Sequence, residues 1–395
     1  MAIPVTLPVA RTTPKGAKSL RTGNPWLYRT ELAAPPDVTG PGAVVLVVDS
    51  QGNPIGQALY ARRSPLALRL LTRKPPREQP VNDLFFRRRL EAALARRASL
   101  SGRDGLRLVH GESDQLPGLF VDRYGKGLTL QTLSEGMDAR KESLAKMLVE
   151  LTGATHVVCR DDASGRDFEG LPRESRFLHG EGTSRFTYHE GDNRFEVDLL
   201  GDMKTGAFLD QVDNHLRAGE LARGEALDLF SYHGGFALAL ARNSESVLAV
   251  EQDEKAAARI GENARANNRT NVSVENANAF DVLKRFDSQS RRFDTIVLDP
   301  PGLAKRREGL ETALRAYHEL NLRALRCLKP DGLLVTCSCS GKLDRAGFEE
   351  MLLGAAADAK RPIQILERRG AGLDHPVLGG LAETEYLKAL YVRAL

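Results

Sequence analysis

Two of the four cysteines in this chain lie one residue apart, in the stretch LLVTCSCSG at Leu333–Gly341. A disulfide within the pair is unfavourable, because residues i and i+2 of a strand are about 7 Å apart, at the limit for a disulfide. A metal site would need further ligands, and the sequence has no CxxC motif or histidine pair nearby. Core packing and nucleophilic catalysis are left, and we expect Cys337 to pack in the core and Cys339 to face a substrate.

A carboxylate follows another apolar strand, in the stretch LDPPG at Leu298–Gly302. Two consecutive prolines hold the backbone after Asp299 in an extended turn, so they position its carboxylate rigidly. Open α/β sheets bind ligands at the carboxyl ends of their strands, which is where both Asp299 and Cys339 are predicted to lie. A turn without any chemistry is the alternative.

A thiolate next to a carboxylate suits methylation of cytosine at C5. This carbon is a poor nucleophile until a thiolate, here Cys339, adds to C6 and converts the ring into an enamine. C5 then attacks the methyl group of S-adenosylmethionine, and loss of the C5 proton with β-elimination releases the thiolate. Asp299 near N3 and N4 would favour the protonated ring in the transition state, and the base would have to leave its stack.

A candidate nucleotide-binding turn occurs in ALDLFSYHGGFALALA, at Ala226–Ala241, which reads as strand, turn and helix. Gly234 and Gly235 would let the backbone approach a ligand at the helix N-terminus. Glu251 ends the next predicted strand, where an acid can accept both hydroxyl groups of a ribose. Together they indicate a cofactor that contains adenosine, although a tight turn with a surface acid is the alternative.

The loop NANAF at Asn276–Phe280 follows the third strand of this region. Asn278 could bind the adenine edge, next to Ala279 and with Phe280 against the ring. An ordinary polar loop is the alternative.

The alternation of strands and helices changes along the chain and predicts three regions. The patterns predict short strands in residues 1–74, a mixture of strands and helices in residues 75–190, and alternating strands and helices in residues 191–395. Regular alternation is typical of a doubly wound parallel α/β sheet, so we expect such a sheet in the last region.

Charge is distributed unevenly along the 395 residues, which have a net charge of +4. Residues 1–100 contain 16 Lys and Arg against 6 Asp and Glu, which favours a polyanion as partner, although a solvated basic surface is the alternative. Arg62, Arg63 and Lys305 are candidates for phosphate contacts. We predict a cytoplasmic protein without a membrane partner, because the sequence has few cysteines and neither a signal peptide nor a membrane-spanning run. We also expect no metal.

Several motifs together resemble the bacterial 23S rRNA (cytosine-C5)-methyltransferase family, whose members are class I S-adenosylmethionine enzymes. The specific pieces are MKTGAFLDQVDN at Met203–Asn214, LFSYHGGFALALA, LDPPGLAK, TCSCSG and DHPV at Asp374–Val377. The resemblance implies a PUA RNA-binding domain at 1–74, a central α+β domain at 75–190 and a Rossmann-like methyltransferase domain at 191–395. It implies 23S rRNA or a large-subunit precursor as partner, and we add a homodimer as an expectation.

The resemblance also implies roles for individual residues. It assigns Cys339 as the nucleophile and Glu251 as the ribose ligand. The remaining residues expected around S-adenosylmethionine are Lys204, Thr205, Phe208, Asp210, Gln211, Asp228, Phe230, Ser231, Gly234, Gly235, Asn278, Ala279, Phe280 and Asp299. The chain departs from the pattern where Asn278 replaces a frequent acid, and where the Asp-Pro-Pro turn has no second cysteine, so the elimination base is unassigned.

Two other functions remain compatible with the sequence. An enzyme that methylates a base nitrogen would also use an Asp-Pro-Pro turn but would not need Cys339; such enzymes usually have an aromatic residue where this chain has Gly302. An RNA-binding assembly factor without activity would not need to retain Glu251 and Asp299.

Overall fold

The computed structural model describes residues 7–38, 40–304 and 309–395, which divide into two compact units. The first comprises Met1–Tyr188, Glu196–Ala207 and Leu373–Thr384, and the second comprises His189–Phe195, Phe208–Gly372 and Glu385–Leu395. The division into three domains at 74 and 190 therefore stays a prediction. Among the described residues, every helix is too short or too polar to cross a membrane.

The first unit begins with a six-stranded sheet and one short helix. Thr13 caps the helix, and the proline that follows suits a first turn because its missing amide hydrogen would have no partner there. The valine-rich fourth strand leads into a turn in which Asp49 Oδ1 accepts the amides of Gln51 and Asn53, both at 2.9 Å. The elements are β1 (Val9–Thr12), α1 (Pro14–Arg21), β2 (Trp26–Tyr28), β3 (Leu32–Ala34), β4 (Val44–Val48), β5 (Pro54–Tyr60) and β6 (Leu66–Thr72), in the sheet order β2-β6-β5-β4-β1-β3.

A mixed layer of helices and strands completes most of the first unit. The helix at Lys141–Thr152 is followed by Gly153, which has a φ of +66°, a conformation that glycine adopts without the strain it would impose on other residues. The elements are α2 (Asp83–Arg96), β7 (Gly105–His110), β8 (Leu119–Tyr124), β9 (Gly127–Thr132), α3 (Glu135–Asp138), α4 (Lys141–Thr152), β10 (His156–Asp161) and β11 (Glu174–His179), with the sheet order β11-β10-β9-β8-β7. A two-stranded sheet of β12 (Arg185–Glu190) and β13 (Asn193–Asp198) follows.

The second unit is built on a seven-stranded sheet. Its strands are β14 (Glu225–Leu229), β15 (Ser246–Glu251), β16 (Val272–Asn276), β17 (Phe293–Leu298), β18 (Leu328–Ser338), β19 (Ile363–Arg369) and β20 (Lys388–Ala394). Their order is β16-β15-β14-β17-β18-β20-β19, and β20 runs antiparallel to both of its neighbours while the first five strands are parallel. The predicted doubly wound sheet is therefore present.

Helices connect these strands and cover the sheet. They are α5 (Val212–Leu221), α6 (Gly235–Leu240), α7 (Glu254–Ala266), α8 (Ala279–Ser288), α9 (Leu310–Arg326) and α10 (Arg345–Asp358). Apolar residues of α8, α9 and α10 pack with those of β14, β17, β18 and β20 into one buried core. The chain reverses its direction of winding between β14 and β17, and in open α/β sheets a ligand binds at that point, outside the carboxyl ends of the strands.

Candidate active site

The predicted nucleophile and the predicted carboxylate leave neighbouring strands at the same edge of the sheet. β17 pairs in parallel with β14, where Leu298 lies opposite Leu229, and with β18, where Leu298 lies opposite Thr336. Asp299 follows β17 directly, and Cys339 is the first residue after β18. The structure therefore brings the two residues together, as the sequence predicted from strand order.

Cys339 faces the Asp-Pro-Pro turn. Its Sγ lies 4.0 Å from the carbonyl oxygen of Pro300, and a Cβ on Gly302 would lie 3.6 Å from the same sulfur. Cys339 is partly exposed, whereas Cys337 is completely buried. Burial raises the pKa of the Cys337 thiol well above its usual value, and Asp299 raises it further, so Cys337 is an inert packing residue as predicted.

The cysteine turn is held by a cluster of buried hydroxyl groups. Ser338 Oγ donates to Tyr317 Oη at 3.0 Å, and Tyr317 Oη bonds Ser340 Oγ at 3.0 Å. Ser340 Oγ also accepts the amide of Ala304 at 3.1 Å. One tyrosine of α9 thus ties the residues on both sides of Cys339 to the loop that follows the prolines.

The turn after β14 has a strained backbone. Phe230 and Tyr232 have positive φ values of 66° and 50°, and Gly234 has a φ of 87°. The loop is nevertheless fixed, because the amide of Tyr232 donates to Glu251 Oε2 at 2.8 Å and the carbonyl of His233 accepts a bond from Asn263 at 2.9 Å. Backbone strain that is held in this way is common at ligand sites.

Packing accounts for the second glycine of this turn. A Cβ on Gly235 would lie 2.3 Å from Cε1 of His215, a buried residue of α5. His215 Nδ1 bonds Glu190 Oε2 at 2.6 Å; burial lowers its pKa, but the charge and hydrogen bond of Glu190 outweigh burial and the net pKa is raised. Gly235 therefore makes room for this side chain, which the sequence did not reveal.

Asp228 is a completely buried carboxyl group at the end of β14. Its Oδ2 accepts the hydroxyl of Ser231, while its Oδ1 has no hydrogen-bond partner among the described residues. Burial raises the pKa of Asp228 to about 7. The hydroxyl of Ser231, the charge of His215 and the backbone amide of Ala237 lower this pKa, and the charge of Asp299 raises it. An unpartnered buried oxygen beside a strained turn fits the binding of a cationic ligand group.

Glu251 stands at the end of β15, as predicted. Its two oxygens accept the backbone amides of Tyr232, at 2.8 Å, and of Asp253, at 2.9 Å. These bonds orient the carboxylate, which retains further lone pairs for two ribose hydroxyls because an ionised carboxylate offers about four acceptor positions.

Asn278 acts as the N-cap of α8. Its Oδ1 accepts the amide of Phe280 at 2.9 Å, and its Nδ2 donates to Gln252 at 2.8 Å. Ala279 is buried, and the ring of Phe280 lies edge-on to Phe230 with centroids 6.0 Å apart. The side chain of Asn278 therefore already has partners within the protein, and its predicted contact with adenine stays a prediction.

The residues predicted from KTGAFLDQ separate into two groups. Phe208, Asp210 and Gln211 belong to the second unit, where the Phe208 ring contacts Tyr232 edge-on at 4.9 Å and Tyr386 donates to Asp210 at 2.7 Å. Gln211 is buried. The remaining two residues belong to the first unit: Lys204 is exposed, and Thr205 donates to Asp122 at 2.6 Å.

The candidate RNA contacts differ in their surroundings. Arg62 is exposed but engaged, because its Nε donates to Glu135 at 2.6 Å and its amide donates to the same carboxylate at 2.8 Å. Arg63 is exposed and passes close to Gly170. Lys305 lies outside the described residues.

One group of potential metal ligands occurs among the described residues. Cys159, Asp161 and Glu174 converge in the first unit. The ammonium of Lys141 lies among them, 2.6 Å from Asp161 and 2.7 Å from Glu174, and so supplies the positive charge that a metal ion would bring.

Comparison with known proteins identifies the family. The chain is 35% identical over 391 residues to "Ribosomal RNA large subunit methyltransferase I" of Photobacterium profundum, covering 95% of this chain and 97% of that one. It is 32% identical over 388 residues to the protein of the same name from Vibrio cholerae, covering 96% and 97%. This chain belongs to the ribosomal RNA large subunit methyltransferase I family. The predicted family resemblance is confirmed.

Two family models match parts of the chain, a PUA-like domain at residues 11–73 and "Conserved hypothetical protein 95" at residues 206–342. Among solved structures, a proposed SAM-dependent methyltransferase from Streptococcus mutans has a TM-score of 0.82 at 18% identity, with 98% of this chain and 100% of that chain covered. A proposed methyltransferase complexed with SAH has a TM-score of 0.83 at 18% identity, with the same coverage. At this identity the likeness shows the fold alone, and it confirms the predicted fold class.

Proposed function

We propose that this chain transfers the methyl group of S-adenosylmethionine to C5 of a cytosine in 23S ribosomal RNA, with Cys339 as the nucleophile. The coarser activity, S-adenosylmethionine-dependent methylation of large-subunit ribosomal RNA, follows from membership in the family, and it confirms the predicted cofactor. The main support for the finer chemistry is the placement of the partly exposed Cys339 thiol against the Asp-Pro-Pro turn, next to Asp299.

The second unit has candidate acceptor groups for this cofactor. The unpartnered Oδ1 of Asp228 would receive the ammonium of the methionine part, and Glu251 would accept the ribose hydroxyls. Phe280 would flank the adenine, and the strained turn at Phe230–Gly235 would approach the cofactor through its backbone. When bound, S-adenosylmethionine supplies the electrophilic methyl group. The roles predicted for the remaining cofactor residues stay part of this proposal.

The protein's own residues would control the base. Cys339 Sγ adds to C6 and pushes electron density to C5, which becomes the carbon nucleophile. Asp299 holds the N3/N4 edge and favours the protonated ring as negative charge develops there. Loss of the C5 proton then drives β-elimination, which breaks the bond between sulfur and C6 and returns the Cys339 thiolate. The group that takes this proton is unassigned.

Recognition of the RNA is a separate part of the proposal. The PUA-like region at residues 11–73 contains Arg62 and Arg63, whose guanidinium groups are exposed and suit phosphate contacts. Because Glu135 already engages Arg62, Arg63 is the stronger candidate of the two. Phosphate contacts position the RNA, while the flipped base is read in the second unit. The cytoplasmic location and the homodimer stay predictions.

The test is a pair of cysteine variants assayed on large-subunit RNA. We expect Cys339→Ala to abolish methyl transfer, and the matched control Cys337→Ala to retain it, because Cys337 is a packing residue. RNA containing 5-fluorocytosine should form a covalent adduct with the wild type, since fluorine at C5 blocks the elimination, and not with Cys339→Ala. Full activity of Cys339→Ala would refute the covalent mechanism and favour methylation of a base nitrogen. Mapping 5-methylcytosine in ribosomal RNA with and without the gene would identify the nucleotide.

A further inference from the structure

A buried lysine lies next to the cysteine turn. Lys388 is the first residue of β20, pairs in register with Ser338, and is 1% exposed. Its Nζ donates to the carbonyl oxygens of Ser340, at 2.7 Å, and of Tyr386, at 2.8 Å. Burying an ammonium costs free energy unless charge and hydrogen bonds compensate. Both of these partners are neutral carbonyl groups, so the hydrogen bonds alone do not offset the free energy lost by burying the charge of Lys388.

Among the charged groups that affect the pKa of Lys388, Cys339 has the largest effect. Burial lowers the pKa of Lys388 to about 8, and the negative charge of the Cys339 thiolate is the strongest charge effect in the opposite direction. Arg345 lowers the pKa of Lys388, while Asp344 and Glu385 raise it. A thiolate that favours the ammonium is in turn favoured by it, because the coupling between two sites is reciprocal.

We propose that Lys388 is a positioning residue for the nucleophile: its ammonium fixes the carbonyl of Ser340 and stabilises negative charge on Cys339 Sγ. This rests on the proposed function, in which Cys339 is the nucleophile. The thiol proton passes to solvent, Lys388 keeps its own proton, and no bond to Lys388 forms or breaks. The same charge assists the elimination, because a stabilised thiolate is a better leaving group from C6.

The hydroxyl cluster on the other side of the turn offers a matched control. Tyr317 holds Ser338 and Ser340 by hydrogen bonds of 3.0 Å. It carries no charge at neutral pH, because a tyrosine hydroxyl is already neutral there and burial raises its pKa further. Tyr317→Phe therefore removes positional restraint and leaves the charge at Lys388 unchanged. Lys388→Met removes both the positive charge and the hydrogen bond that holds the carbonyl of Ser340.

The experiment measures how fast iodoacetamide alkylates Cys339 at different pH values, with the site mapped by mass spectrometry. Cys159, Cys327 and Cys337 are buried, so alkylation reports on Cys339. We expect Lys388→Met to move the pH midpoint of alkylation upward by about one unit or more, the effect of losing a nearby opposite charge. Lys388→Arg should restore most of this shift, and Tyr317→Phe should leave the midpoint in place. An unchanged midpoint in folded Lys388→Met, or an equal shift in Tyr317→Phe, would overturn the proposal.

A second measurement leaves Lys388 intact and so does not depend on the folding of its variants. In protein with ¹³C-labelled lysine, the titration of Lys388 Cε is followed by NMR in the wild type and in Cys339→Ala. We expect the pKa of Lys388 to fall in Cys339→Ala, because the thiolate that favours the ammonium is gone. An unchanged pKa would refute the coupling. Neither readout uses RNA, so failure to trap a 5-fluorocytosine adduct would reject the proposed function without altering these results.

Discussion

The affinity for S-adenosylmethionine should depend on pH through Asp228. In the free protein burial raises the pKa of Asp228 to about 7, so the carboxyl group is largely protonated below neutrality. The proposed role of its Oδ1 is to accept the cofactor's ammonium, which requires the ionised form. The bound cation lowers the pKa again, so binding below pH 7 must release a proton from Asp228, and affinity must fall as the pH falls.

The expected change can be calculated from this pKa. With a pKa of about 7, about a tenth of the molecules are ionised at pH 6 and about nine tenths at pH 8. The dissociation constant should therefore be about tenfold larger at pH 6 than at pH 8, which is about 1.4 kcal/mol. Asp228→Asn should bind more weakly and show no such dependence.

Isothermal titration calorimetry at pH 6, 7 and 8, in two buffers with different ionisation enthalpies, measures both the affinity and the protons released. Glu251→Gln is the matched control, because it alters the proposed ribose acceptor but should keep the dependence on pH. His215→Gln tests how far the charge of His215 lowers the pKa of Asp228. A dissociation constant that does not change with pH in the wild type, or an equal dependence in Asp228→Asn, would refute the role assigned to Asp228.

Two further predictions concern the elements that support the proposed cofactor site. Asn278→Ala should remove the cap of α8 and destabilise the protein by about 1 kcal/mol, whereas Asn278→Asp should retain the cap. Thermal unfolding with and without cofactor measures the stability of the two variants and the wild type. Equal melting temperatures for these three proteins would contradict the capping role of Asn278. Gly235→Ala should lower the free energy of unfolding by about 1–3 kcal/mol, because the added methyl group would overlap His215. Combining it with His215→Ala should recover much of this lost stability. If denaturant unfolding shows instead that the two losses add, this contact is not the reason for the glycine.

The sequence predicted those features of the site that depend on local pattern and strand order. Alternating strands and helices place Asp299 and Cys339 at one sheet edge, because parallel strands end on the same side. The sequence could not predict hydrogen-bond partners that come from distant parts of the chain. His215 lies in an ordinary amphipathic helix, and its bond to Glu190 depends on how that helix packs. The sequence predicts an adenine contact for Asn278 but not its capping role, which depends on α8 starting at the next residue.

The difference between the two cysteines follows from the alternation of side chains along β18. Ser338 and Ser340, two residues apart, both bond Tyr317, so the intervening Cys339 must project away from that hydroxyl cluster. Cys337 shares this alternation but lies within the strand, where it is completely buried. Because β18 ends at Ser338, Cys339 is the first residue of the pair that leaves the sheet, and its sulfur reaches the turn after Asp299. The two thiols are therefore not interchangeable. In the proposed mechanism Cys337 should not compensate for the loss of Cys339, because burial of Cys337 disfavours the thiolate that an attack on C6 would require.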